Sequence, residues 1–335
     1  YTGWYTLSLH DALPILALVP ISNGAIYLIY AVITTYILSA FFLNSPGIFN
    51  LWTDRAMAAH FKMTFNATYK TQLMFAITIS MAVYLTIKNG VNKYIAMFIP
   101  FITMDLMTTD RSFLFEAFMA SIGILLLTKT KIPVIKLAFI SFIIVSMEVI
   151  RSSWQENILL SQLQFIPGEL LFTTESSYIM IESKLSTNIF EYSLYSLGKI
   201  FTPKVMDVLF ESTPHFANII NAESTLLTGL GGSLLSEVFS AKSLILYILY
   251  PFVAISYLEI INFIKYYAGY FGILVFVFYL FSTHAIFRNG IIFTSVEPIY
   301  YTVYAASWYW FAKIFFADRL KHSQPLFMNC PCPRM

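Results

Sequence analysis

Six residues have the type and placement to do chemistry: Arg55, Arg111, Arg151, Arg288, Glu237 and His215. A guanidinium offers a planar fork of donors that grips phosphate or carboxylate oxygens in pairs. A carboxylate or an imidazole can accept a proton from an attacking hydroxyl. Glu237 closes a run, Thr225 to Phe239, that reads TLLTGLGGSLLSEVF. Within it Gly229, Gly231 and Gly232 let the backbone turn tightly and approach a ligand. Ser233 or Ser236 can cap the helix that follows, and free N–H groups at a helix start favour anions. The run is not a nucleotide-binding P-loop, because no Gly-Lys-Ser/Thr follows. Plainer readings stand beside these. Each arginine can pair with a nearby acid (Asp54, Asp110, Glu297) or extend to lipid headgroups. Glu237 can be a helix-start acid held by the dipole, and His215 an ordinary loop residue, as can His60 and His284 near span ends. No His/Asp/Glu cluster has metal spacing, and the only cysteines, Cys330 and Cys332, fall in the last six residues. No metal, disulfide or cofactor is therefore expected.

The elements that must position these residues are membrane helices. Hydrophobic residues make up 58% of the 335-residue chain and charged residues 11%, too few charges to cover a soluble surface. Spans of roughly 20 apolar residues are needed to cross a bilayer. They are read at 25–43, 71–87, 94–107, 112–128, 134–150, 243–262, 268–287 and 291–316. The third is short and crowded by Asp105 and Asp110, so a tilted or broken helix is expected there. Short basic clusters at 88–93, 129–136, 263–267 and 318–322 alternate correctly if all face the cytoplasm. The connections 44–70, 105–111, 151–242 and 288–290 then face outward, although Arg55, Lys62 and Lys70 in the first of these argue against it. The inward basic residues are then nearly all lysine, and all four chemistry-bearing arginines face outward, where they fit an anion such as a lipid pyrophosphate.

The largest connection, 151–242, is too long to be unstructured in a compact protein. It holds nine acids against five bases, and its apolar runs (158–160, 170–172, 205–210) are expected to form amphipathic helices on the membrane face. Pro167-Gly168 and Thr202-Pro203 read as helix boundaries. The organisation is thus 16–150 and 243–317 as two sets of transmembrane helices, 151–242 as an outer helical region, and 318–335 as a cytoplasmic tail. Residues 1–15 are set aside. The chain opens on Tyr1, and YTLSLHDALPI at 5–15 reads like translated sequencing adapter, so further spans are expected before it.

GLGGSLLSEVF, followed by two spans and FRNG at 287–290, resembles the Wzy-type polymerases of O-antigen and capsular repeat units. TTDRSFLFEAF at 108–118 is similar to their arginine at the outer start of a span. The resemblance covers about residues 90–317. It departs where the family has Asn-Phe-Gly after the Glu-aromatic pair; this chain has Ser240-Ala241-Lys242, with a Gly-x-Phe-Gly element only later, at 269–272. The resemblance implies an all-α, polytopic bundle, about eight visible spans, glycosyltransferase-C-like, in the bacterial inner membrane. It implies a glycosyltransferase that moves a glycan from undecaprenyl pyrophosphate to a lipid-linked oligosaccharide repeat unit on the periplasmic face. Arg111, Arg151 and Arg288, with Arg55, would grip the pyrophosphate, and Glu237 or else His215 would be the base. Its partners would be the lipid-linked oligosaccharides, membrane lipid and a chain-length regulator, with no nucleic acid. An O-antigen ligase of similar architecture and a polysaccharide flippase are the alternatives, the latter kept open by two intramembrane acids, Asp105 and Glu259.

Overall fold

The computed structural model describes residues 21–108, 112–127, 177–183, 203–209, 234–240, 242–267, 269–282 and 297–316, with single positions between 186 and 198. Among the described residues the fold is all-helical, without β-strands. In chain order the helices are α1 (Asn23–Asn44), α2 (Ile48–Thr53), α3 (Arg55–Tyr69), α4 (Thr71–Asn89), α5 (Ile99–Thr108), α6 (Ser112–Leu127), α7 (Pro203–Leu209), α8 (Leu234–Ser240), α9 (Leu244–Tyr267), α10 (Gly269–Phe281) and α11 (Glu297–Phe316). Residues 177–182 form a further helical turn.

Local chemistry sets several boundaries. Ser22 Oγ accepts from Ala25 N–H at 3.1 Å to start α1, and Asp54 Oδ1 accepts from Met57 N–H at 2.9 Å to start α3. α4 ends at Gly90, whose φ of 66° lies in the left-handed region that glycine enters without a Cβ penalty. α7 begins at the proline of Thr202-Pro203, where a missing N–H costs nothing.

α4 is the centre of the bundle. Its residues Ala76, Ile79, Met81, Ala82, Val83, Tyr84 and Leu85 are fully buried. Its buried Thr78 donates to Met74 O at 2.9 Å, so a hydroxyl in the apolar interior is satisfied within the helix. α11 runs parallel to α4: Tyr301 meets Gln72, while Trp308 and Tyr309 lie against Tyr84. α10 runs antiparallel to both, with Tyr270 on Tyr309 and Phe281 on Phe75 and Tyr301. α9 and α10 form a hairpin in which Tyr257 faces Tyr279. Close to its turn, a Cβ on Gly272 would stand 2.1 Å from the Ile264 carbonyl oxygen. Only glycine fits.

Three helices, Asn23–Asn44, Thr71–Asn89 and Tyr247–Lys265, are long and apolar enough to cross a membrane. α6 and α10 are apolar but shorter. α4 is mostly buried, whereas α9 leaves Ile245, Ile248, Phe252, Ile255 and Phe263 exposed. An apolar helix uncovered by protein fits a lipid-facing position. The expected span at 94–107 is indeed broken: a 3-10 turn, Lys93–Phe98, leads into the ten-residue α5. The span expected at 134–150 lies outside the described residues.

The connection 44–70 departs from expectation. It is helical almost throughout, as α2 and α3. Composition hid this, because α3 mixes polar residues with aromatics. Phe61 and Phe65 pack on Phe41 of α1, with ring centroids 5.5 and 5.6 Å away, and this contact organises the segment.

Candidate functional site

The bundle has two chemically different ends. At one, Lys88 in the last turn of α4 donates to Ile21 O at 2.6 Å and Asn23 Oδ1 at 2.9 Å. Lys93, Lys265 and Lys313 belong to the same end by the helix directions given above. Each lies over an aromatic ring: Lys93 over Tyr94, Lys265 over Phe276 and Lys313 over Trp310, at 5.6, 4.1 and 5.1 Å from the centroids.

The opposite end holds the buried acids. Asp105, at the close of α5, is fully buried and pairs with Lys62 of α3, Nζ to Oδ1 2.7 Å. Lys62 Nζ also donates to Ser112 Oγ at 2.6 Å, and its ammonium lies 5.0 Å from the centre of the Phe113 ring. Asp105 Oδ2 accepts from Leu114 N–H at 2.8 Å. That N–H belongs to the first turn of α6, which has no intrahelical acceptor of its own. Asp105 thus caps α6 from a neighbouring helix, and Lys62 neutralises the cap. Phe41, Phe61, Phe65 and Met104 wall the group off, around a cavity of about 10 Å³, roughly one water in size. A buried acid requires a partner, and Asp105 finds it in Lys62, which the sequence placed in a connection.

Glu237 stands at the same end. α9 is antiparallel to α10 and its Tyr257 faces Tyr279, so the start of α9 projects beyond the end of α10, whose Phe281 touches Phe75; Phe75 in turn touches Phe113. Glu237 sits in α8, which leads into that start. Its side chain is only 2% exposed, and Tyr250 of α9 donates its hydroxyl to Oε2. Ser240 Oγ donates to the Glu237 carbonyl at 2.6 Å and closes the short helix. The turn at 177–182 lies against α8, where the Ser177 and Ser236 hydroxyls are 3.5 Å apart. Lys242, in the left-handed region at φ 52°, ties this turn down by donating to Met180 O and to Ile181 O, the latter at 3.0 Å. In that turn the Tyr178 hydroxyl bonds Glu182, and the carboxylate pushes the phenol pKa up.

Of the other expected site residues, Arg55 opens α3, at the N-terminal end of the helix that carries Lys62. Arg111, Arg151, Arg288, His215, Gly229, Gly231 and Gly232 lie outside the described residues, as does His284. His60 is exposed on α3. Glu259 is exposed on α9, on the outside of the bundle and not along an interior path. Gly269-Tyr-Phe-Gly272 is remote from Glu237. It builds the α9–α10 turn at the Lys88 end, with Gly269 at φ 56°, about 25 Å along α9 from Tyr250. Sequence reasoning missed Lys62 and Tyr250. The signal for Lys62 was Asp105 itself, an acid in an apolar run that demands a cation. Tyr250 left no signal among 22 tyrosines. Among the described residues no group of three or more His, Cys, Asp or Glu could hold a metal ion. No family model matches the chain, and no curated protein or solved structure matches it.

Proposed function

We propose that the chain is a membrane polysaccharide polymerase, a glycosyltransferase acting at the periplasmic face of a bacterial inner membrane. In this reading about eight spans form a glycosyltransferase-C-like bundle whose Asp105 end faces outward and whose lysine-bearing end faces the cytoplasm. The observation that carries it is Glu237: a buried carboxylate in the short helix before α9, its Oε2 held by the Tyr250 hydroxyl.

The chemistry follows from the charges that move. An acceptor sugar hydroxyl attacks the anomeric carbon of the donor glycan. The bond from that carbon to the pyrophosphate oxygen breaks as the new glycosidic bond forms. The hydroxyl proton passes to a base, and undecaprenyl pyrophosphate leaves with the electron pair. A buried carboxylate whose Oε2 accepts from the Tyr250 hydroxyl is held in one place and suits the base. Arg111, Arg151, Arg288 and Arg55 would neutralise the leaving group, where fixed cations stabilise developing charge without reorganisation. The ring-stacked lysines at the other end support the orientation, since cytoplasmic ends carry excess lysine. A chain-length regulator is the expected protein partner.

The test uses purified protein, a lipid-linked repeat unit and no nucleotide sugar. Extension into polymer is expected, with loss of at least about a hundredfold in rate for Glu237→Gln, the usual scale of a general base. Transfer to a lipid A core acceptor instead would mark a ligase. Translocation of glycolipid into liposomes without extension would mark a transporter and overturn the reading.

A further inference from the structure

α9 carries polar side chains on the face turned away from its own bundle. Its apolar stretch Tyr247–Lys265 is long enough to cross a membrane, and almost none of it is covered by protein. The side turned to the bundle holds Tyr250, Tyr257 and Ile261: Tyr250 bonds Glu237, Tyr257 faces Tyr279, and Ile261 is buried. At about 3.6 residues per turn, Phe252, Ile255 and Glu259 fall on the opposite side, with Asn262 at its edge. All four are exposed. Their spacing is that of a helix-pairing seam. Ile245, Phe252 and Glu259 stand seven residues apart, as do Ile248, Ile255 and Asn262, the a and d positions of a heptad repeat. Pro251 lies beside this seam, and α9 stays helical through it. Glu259 stands about 4.5 Å from the middle of the apolar stretch, and Asn262 about 9 Å. Among the described residues neither of these two side chains has a hydrogen-bond partner.

We propose that this seam of α9 docks on the same seam of a second copy of the chain, as a parallel pair of membrane helices. Two copies inserted alike run parallel, so their two-fold axis stands along the membrane normal and equal depths meet. Glu259 brings carboxyl oxygens that accept, and Asn262, on the next turn, brings an amide that donates. Across the axis each Glu259 meets the partner's Asn262, so the same hydrogen bond is made twice. This self-complementarity singles out a second copy, because one stripe supplies both halves of the bond. A glutamate facing hydrocarbon alone is expensive, and such groups lie against protein. Helices in membranes associate through packing and interhelical hydrogen bonds of this kind. A polar residue at an a position also fixes the register of the pair. The flanking Val253 and Leu258 are exposed and apolar, as a lipid-facing surface requires. The pairing needs only that α9 crosses a membrane, and it holds whatever reaction the bundle catalyses.

Cysteine placement tests the seam in membranes, with Cys330→Ser and Cys332→Ser as background and two differently tagged copies co-expressed. Phe252→Cys and Ile255→Cys should each form, on mild oxidation, a disulfide that joins the two tags. Val253→Cys and Leu258→Cys, also exposed but off the seam, should not. Cross-linking at all four positions alike, or at none, overturns the proposal; lipid or another part of the same chain then covers this face. A product of any other mass names a different protein as the occupant and overturns it too. The strength of pairing is read by energy transfer between labelled copies diluted in micelles. Glu259→Leu should weaken self-association about tenfold, the scale of two interhelical hydrogen bonds. Glu259→Gln keeps an acceptor for the partner's Asn262 and should stay within about threefold of the natural chain. Association of a well-folded Glu259→Leu as tight as that of the natural chain overturns the proposal. Should that variant fail to fold, Asn262→Leu removes the donor instead, with the same expected loss and the same overturning result.

Discussion

Asp105 shows how much one buried side chain can organise. Its two oxygens serve a cation from α3 and a backbone donor from α6, with no exposure to solvent. Asp105→Asn keeps an acceptor for Leu114 N–H but leaves Lys62, itself only 12% exposed, without its counter-charge. We expect a loss of about 3 kcal/mol, measured by reversible unfolding in mixed micelles, because breaking one side of a buried pair costs more than removing both. A change under about 0.5 kcal/mol would show the ammonium to be solvated, as surface pairs are. Residue types made part of this site legible. An acid within an apolar run is expensive, so Asp105 stood out. Its partner did not, because lysine in a polar stretch is unremarkable until folding brings residues 43 positions apart into contact. Glu237 was legible from its place after three glycines and before a span. Its hydrogen bond to Tyr250 depends on the angle between α8 and α9, which no local pattern encodes.

Helices were easier to read than the contacts between them. The spans at 25–43, 71–87 and 243–262 emerge as α1, α4 and α9, because sustained apolar runs leave few alternatives. The break before α5 was legible too, from its shortness and its acids. α2 and α3 were not, since their buried residues Leu51, Ala58 and Phe65 are scattered among polar and charged ones, and such a stretch looks like loop by composition. The Gly-x-Phe-Gly element at 269–272 had a meaning unlike the one its spelling invited. It permits close approach of two helices, as small residues do in membrane interfaces generally. Gly272→Val should therefore destabilise by about 3 kcal/mol, since the new side chain meets the Ile264 carbonyl within 2.1 Å and the hairpin must open. Gly24→Ala in α1 is the internal comparison. Nothing lies within 4 Å of that added Cβ, and unfolding in micelles should show no loss. Equal effects at the two positions would remove the hairpin argument.

At the scale of the whole molecule, the arrangement of helices separates charge along its axis. Ring-stacked lysines gather at one end; the buried acids Asp105 and Glu237 gather at the other. Orientation in the membrane should follow. With Cys330→Ser and Cys332→Ser as background, Phe49→Cys at the Asp105 end should react with a membrane-impermeant maleimide added outside the membrane. Val91→Cys at the Lys88 end should react only after permeabilisation. The reverse pattern would place the proposed site in the cytoplasm, where undecaprenyl-linked polymer is not expected to grow. α4 and α9 present apolar spans of the same length, 19 residues or about 28 Å each, close to a hydrocarbon layer of about 30 Å. They differ in cover: the α4 span is mostly buried in the bundle, and the α9 span is almost wholly uncovered by protein. Within one chain, lipid, not protein, is then the neighbour that sets the tilt of α9. Because Tyr250 of α9 bonds the Glu237 carboxylate, any lean of this helix would carry one wall of the proposed catalytic group with it.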